Sequence, residues 1–248
     1  MNKILKRILI GVGILMGLVL LVVGGFLLKF NSETKKMHAI ETGLIVDNIY
    51  AVKNDFVNMF LIKDSTNYIA IDAGKDLDVV EAELKKLNID PKKVTTVLLT
   101  HTDADHAAGL PLFTNAKVYL SKNEVDMLTG EQQKIPGVSN SISVKDYNLL
   151  ENNETKTFAN IKVFNILTEG HTTGSLCYLI NDKYLFTGDI LSLKNGKIDI
   201  SVKFLDLDHE LATKSISKIT HLPTATHIFT AHFGYSDNYK DAVKDWKE

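Results

Sequence analysis

Four short segments of this chain each follow an apolar stretch and end in side chains that bind metals. They are His101-Thr102-Asp103-Ala104-Asp105-His106, Gly170-His171-Thr172-Thr173-Gly174-Ser175, Thr187-Gly188-Asp189 and Ala231-His232-Phe233-Gly234. Three of them directly follow strand-like runs, at 97–100, 184–186 and 228–230, and the second follows 163–168. Together they offer four histidines and three aspartates at strand ends. That is enough nitrogen and oxygen to hold two transition-metal ions close together.

Each segment has a plainer reading when taken alone. Asp103 could be the N-cap of a short helix. An EF-hand is excluded, because counting from Asp103 puts Ala108 where that loop needs glycine and no glutamate stands at its twelfth position. His171 and the Gly188-Asp189 pair could sit in ordinary turns, and His232 could be a core histidine. Four such segments, each after a strand, outweigh those separate readings. His38, His209, His221 and His227 have no such context and are read as surface or packing residues.

In order and setting, the four segments resemble the metallo-β-lactamase fold hydrolases. The usual pattern is His-x-His-x-Asp-His, then a lone His, a Gly-Asp pair and a last His. The resemblance runs from about Leu44 to Tyr235 and takes in Asn58-Met59-Phe60-Leu61-Ile62 and Ile71-Asp72-Ala73-Gly74, which look like the first strands and turn of the family. It implies an α/β fold, an αββα four-layer sandwich. It also implies the ligand sets. His101, Asp103 and His171 would hold one metal, Asp105, His106 and His232 the other, and Asp189 would bridge them. Two cations about 3.5–4 Å apart can share a hydroxide and stabilise charge on an attacked carbonyl or phosphoryl group. Asp105 is then the candidate catalytic residue, able to orient the nucleophile or take its proton.

Asp103 departs from the family pattern, standing where a histidine is usual. A carboxylate makes the site harder and shifts preference toward iron or manganese, although zinc accepts it too. Two divalent ions are expected, with zinc first and iron or manganese open. The expected activity is hydrolysis of an ester-like bond (thioester, lactone, lactam or phosphodiester) in a small-molecule substrate. The alternative is a metal-binding or ligand-sensing domain without catalysis, and Asp103 is its only support.

The N-terminus is of another kind. Lys3, Lys6 and Arg7 precede 21 residues, 8–28, without a charge, which is bilayer length for a helix. No small-x-small cleavage site precedes Lys29, so the segment reads as an uncleaved single-pass anchor rather than a signal peptide. The flanks tie at three basic residues each, and a short charged N-terminus normally stays in the cytoplasm. The expected arrangement is an anchor at 1–30, a polar tether at 31–43 and an extracytoplasmic catalytic domain at 44–248. Residues 37–248 carry 22 basic and 29 acidic side chains, a balance that disfavours a nucleic-acid partner. The one cysteine, Cys177, lies in an apolar run and reads as a buried strand residue. Oligomeric state is not legible.

Periodicity supplies the remaining elements. Strands are expected at 44–52, 57–62, 68–71, 94–100, 117–120, 143–149, 156–158, 161–167, 176–180, 184–186, 198–202 and 226–230. Helical spacing at 76–87 puts Leu77, Val80, Leu84 and Leu87 in one stripe, ended by Asn88. Ser121 reads as the cap of a helix at 122–128, with Glu124 completing a capping box. A helix from Asp208 to Leu222 is also expected. Residues 130–140 read as a loop that would lie near the site in this kind of fold.

Overall fold

In the computed structural model, residues 2–247 are described. The chain divides into two compact units, Met1–Met37 and His38–Glu248. The first is built on helix α1, Lys3–Thr34, whose start is capped by the Asn2 side chain accepting from the Ile4 N–H at 3.1 Å. This helix is long and apolar enough to cross a membrane. Its uncharged part alone would span about 31 Å at the helical rise of about 1.5 Å per residue. It continues past Leu28 through the polar residues up to Thr34.

The second unit begins with a meander of four antiparallel strands, β1 (Gly43–Val46), β2 (Ile49–Asn54), β3 (Val57–Asp64) and β4 (Asn67–Ile71). The run expected as one strand at 44–52 is a hairpin, because Asp47 adopts φ +48° and turns the chain. Asp55 and Ser65 do the same at the next two turns, a backbone region that short polar side chains tolerate. Helix α2 (Leu77–Lys86) then crosses over to β5 (Val94–Leu98). Asp76 caps it, Val80 and Leu84 are buried, and Asn88 at φ +55° ends it. Helix α3 (Ala104–Ala107) precedes β6 (Lys117–Ser121), and α4 (Val125–Thr129) precedes β7 (Asn148–Leu150). Strands β4 to β7 are parallel, and β1 to β7 form one seven-stranded sheet.

Strands β8 (Thr155–Phe158), β9 (Ile161–Leu167), β10 (Leu176–Ile180) and β11 (Tyr184–Phe186) start the second sheet. A two-stranded ribbon, β12 (Leu191–Lys194) and β13 (Lys197–Ile200), and helix α5 (His209–Ile216) follow. Strand β14 (His227–Phe229) then pairs parallel with β11, β15 (Tyr235–Ser236) closes that edge, and α6 (Tyr239–Val243) ends the described elements.

Strand alternation builds three apolar layers. Phe60 and Ile62 face Tyr178, Phe186 and Phe229 between the sheets, where the Phe186 and Phe229 rings stack 4.8 Å apart. The opposite faces carry Met59 and Leu61 toward Val80 and Leu84, and Cys177 and Leu179 toward Ala212 and Ile216. Helices therefore cover both outer faces of a two-sheet sandwich, the αββα arrangement that the resemblance implies. Cys177 is buried, and burial pushes its thiol up to about 12.

Three expectations need correction. The strand expected at 143–149 forms only as Asn148–Leu150. Ile142, Val144 and Tyr147 still pack against the core, so the alternation is used for burial without a ladder. The helix expected from Asp208 to Leu222 tightens after Ile216 into a 3₁₀ turn, Ser217–Ile219. Residues three apart eclipse in such a turn, which keeps Ile216 and Ile219 both buried. Ser121 does cap, accepting from the Asn123 N–H, but Glu124 does not reach back to complete a box; its carboxylate goes elsewhere, as described next.

Candidate metal centre

The C-terminal ends of β5, β9, β11 and β14 meet at one edge of the sandwich, and all seven expected ligands come with them. Three clusters form there: His101, Asp103 and His171; His101, His106 and Asp189; and Asp105, His106 and His232. Asp189 lies at the centre. Its Oδ2 is 3.1 Å from His232 Nε2, 3.5 Å from His171 Nε2 and 4.0 Å from His101 Nε2, and its Oδ1 is 3.3 Å from His106 Nε2. Gly188 allows this placement. At φ +53° it packs so closely on Thr100 that a Cβ would stand 2.8 Å from the threonine Oγ1.

Every histidine is held by its other nitrogen. His106 Nδ1–H donates to Asp72 Oδ2 at 2.9 Å. Asp72 also accepts from the Thr100 N–H at 2.7 Å and from its hydroxyl, and that hydroxyl lies 3.0 Å from His101 Nδ1. His171 Nδ1–H donates to Asp206 at 2.9 Å, and His232 Nδ1–H to the Phe56 carbonyl at 2.9 Å. Holding Nδ1 in this way fixes the ring and its tautomer and turns the Nε2 lone pair inward, as metal-binding histidines require.

Some of these inward atoms lack partners. His101 Nε2, His106 Nε2 and Asp189 Oδ1 are buried and find no hydrogen bond among the described residues. Buried polar atoms are normally satisfied, so the cavity suits a cation that all of them can ligate. The electrostatics agree. Burial disfavours a charged His106, yet Asp189, Asp105 and Asp72 outweigh it and hold its pKa well above the usual range. His232 is raised in the same way, against burial, by Asp189 and Asp105. Burial would raise Asp189, but His232 and His106 hold it well below the usual carboxylate range. Carboxylates that draw protons onto buried imidazoles mark a cavity short of positive charge. His101 is the exception, pushed down by burial and by His106.

Asp103 stands at the N-cap position of α3 but makes no capping hydrogen bond. Its Oδ1 accepts from Asn140 Nδ2 at 2.9 Å and its Oδ2 from Lys134 Nζ at 2.6 Å, with His171 Nε2 at 3.2 Å. Lys134 Nζ is also 2.9 Å from His171 Nε2. Burial and Lys134 oppose a proton on His171, but Asp103, Asp206 and Asp189 hold it up at about 9.

The sequence reading missed the supporting residues. Asp72 was visible only as part of a turn, and Asp206 carried no signal. His209, read as a surface or packing residue, lies 2.6 Å from Asp206 Oδ2 and so stands one step behind His171. Lys134 and Asn140 come from the loop at 130–140, which does reach the site. Glu124, fully buried, accepts from the Thr102 N–H and hydroxyl through Oε1 and from the Thr172 hydroxyl and Gly174 N–H through Oε2, at 2.6–3.0 Å.

The family model described as metallo-beta-lactamase superfamily matches residues 52–232, a span that includes all seven of these side chains. The chain belongs to the metallo-beta-lactamase superfamily. Among curated relatives, it is 26% identical over 160 residues to "Probable polyketide biosynthesis zinc-dependent hydrolase BaeB" of Bacillus velezensis, covering 63% of this chain and 61% of that one. It is 28% identical over 182 residues to a hydroxyacylglutathione hydrolase of Shewanella halifaxensis, covering 73% and 63%. The chain thus spans under two thirds of the length of both. Solved metallo-beta-lactamase structures share the fold. The Rm3 enzyme superposes with a TM-score of 0.63 at 19% identity, over 80% of this chain and 81% of that one. A B3 enzyme described by its active-site glutamic acid gives 0.65 at 16% identity, over 86% and 89%.

Proposed function

We propose that this superfamily member is a membrane-anchored, binuclear metal-dependent hydrolase acting on an ester-like bond of a small molecule. The observation that carries the reading is the convergence of four histidine Nε2 atoms on three carboxylates, with His101 Nε2, His106 Nε2 and Asp189 Oδ1 buried and unsatisfied. His101, Asp103 and His171 would hold one ion, Asp105, His106 and His232 the other, and Asp189 would bridge them. Divalent ions bound there, zinc first among them, would make a water acidic enough to act as a nucleophile near neutral pH and polarise the bond it attacks.

The side chains divide the remaining work. Asp72, Thr100, Asp206 and the Phe56 carbonyl keep the imidazoles aimed. Asp105 is the least buried of the carboxylates, with 24% of its side chain exposed and Oδ2 3.5 Å from His232 Nε2. It is therefore placed to meet both the second ion and an incoming substrate, and to orient the nucleophile or take its proton.

Elemental analysis of gently purified protein should find close to two metal ions per chain. The same preparation should hydrolyse at least one member of a panel of acyl-glutathione thioesters, lactones, β-lactams and phosphodiesters. The thioesters come first because of the named relatives. No uptake of Zn²⁺, Mn²⁺ or Fe²⁺ would sink the metal reading. Full uptake without turnover of any member would favour a binding domain instead.

Helix α1 should hold the protein in the membrane fraction, with the second unit on the extracytoplasmic side. Fractionation, N-terminal sequencing and protease accessibility of intact cells check this. A soluble product that begins after Lys29 would refute the anchor.

A further inference from the structure

Lys134 stands where the first metal would bind. Its ammonium lies 2.6 Å from Asp103 Oδ2 and 2.9 Å from His171 Nε2, two of the three ligands proposed for that ion. His171 Nδ1–H is committed to Asp206, so the ring offers only one lone pair, on Nε2. A metal would need that same lone pair at about 2.0–2.1 Å. An ammonium and a metal cannot both use it. No equivalent cation touches the second set, Asp105, His106 and His232, among the described residues.

The arm that carries Lys134 is built to place it. Its base is pinned where the Gln132 N–H donates to the Asp126 carbonyl and the Asn140 N–H to the Met127 carbonyl, both at 3.0 Å. Its tip turns at Gly137, φ +81°, and Gln133 Oε1 accepts from the Gly137 N–H at 2.7 Å. Asn140, at the far end, holds the other Asp103 oxygen. Asp103 is also the residue that departs from the family pattern. A carboxylate there can form an ion pair with Lys134, whereas a neutral imidazole would leave the ammonium with less compensation.

We infer that Lys134 is a tethered counter-cation of the first site, paired with Asp103, which the first metal must displace, so that the two sites fill in order with the second site ahead. This rests on the binuclear reading above. It makes Lys134 and Asp103 the pair that sets first-site affinity. The arm can leave when the ion arrives, because a divalent charge would repel the ammonium and Lys134 is partly exposed, at 18% of its side chain.

Chelator-competition titration with Zn²⁺ tests the inference on the full chain, comparing the parent with Lys134→Ala, Lys134→Arg and Asp103→Ala. The parent should take up one equivalent tightly and a second at least tenfold more weakly. Lys134→Ala should tighten the weaker step at least tenfold and leave the tighter one unchanged. Lys134→Arg, which keeps the charge, should stay close to the parent. Asp103→Ala should weaken the same step that Lys134→Ala tightens. Stepwise constants identical in the parent and Lys134→Ala, with two equivalents bound, would overturn the role of Lys134 while leaving the binuclear reading intact. A tighter first step rather than second in Lys134→Ala would overturn the order of filling. If no variant binds Zn²⁺, the binuclear reading falls and this inference with it.

Discussion

Asp189→Ala and His106→Ala should each leave a folded chain that has lost hydrolysis by at least about 10³-fold, since a bound ion contributes several kcal/mol of transition-state stabilisation and each 1.36 kcal/mol is about tenfold. Asp189 meets all four histidines, and His106 belongs to two of the three ligand clusters. Neither is part of the apolar layers, so circular dichroism should report an intact fold. Metal content should drop with activity. Asp72→Ala gives a graded version. It removes the acceptor of His106 Nδ1–H and of Thr100 without touching a ligand atom, and losses of that kind weaken metal binding by about 10–100-fold. His221→Ala is the control. That side chain is exposed, and its hydrogen-bond contact among the described residues is with the neighbouring Thr220 hydroxyl. If His221→Ala lost as much activity as His106→Ala with both proteins folded, the ligand assignment would be wrong.

The candidate ligands were legible because each lies in a short motif directly after a strand, where sequence neighbours are also neighbours in space. Their supports were not. Asp72 is 34 residues from His106, and Asp206 is 35 from His171. The partner of His232 is the backbone carbonyl of Phe56, which leaves no trace in a sequence. The strands of the inter-sheet core were visible through alternation, but the sandwich came from the family resemblance, since period-2 patterning does not say which sheet a strand joins. The 143–149 run shows the limit of that patterning. Val144 and Tyr147 pack half-buried against the core while Leu149 is exposed, and most of the run has no paired strand. Asp103 and Glu124 each fit a local capping pattern, and in both cases the side chain turns away from the helix to a distant partner. Local preferences of about 1 kcal/mol yield to charge-assisted contacts in a buried site.

Glu124→Ala should be the most destabilising single change near the centre, by about 3–5 kcal/mol, because it strands buried donors that each cost about 1–3 kcal/mol when unpaired. Glu124 ties the first metal-binding segment to the second from behind, through four hydrogen bonds. One oxygen takes both donors of Thr102, next to His101, and the other takes Thr172 and Gly174, just past His171. The two hydroxyls can turn to other acceptors, such as Ser175 for Thr172, but the N–H groups of Thr102 and Gly174 cannot. Nor is there room for the chain to adjust. A Cβ on Gly174 would stand 2.2 Å from the Glu124 backbone nitrogen, so the second segment already packs against the main chain that carries Glu124. Glu124→Gln keeps the shape but replaces one pair-accepting oxygen with an NH₂ that faces two donors, so it should fall between the parent and alanine. For a domain of this size the alanine variant should melt on the order of 10 °C lower. It should also bind the first metal more weakly than the second, since Thr102 and Thr172 flank His101 and His171. Thermal unfolding without metal, followed by Zn²⁺ titration, measures both effects. A melting temperature within a degree or two of the parent would show that the clamp is not what holds these two segments together.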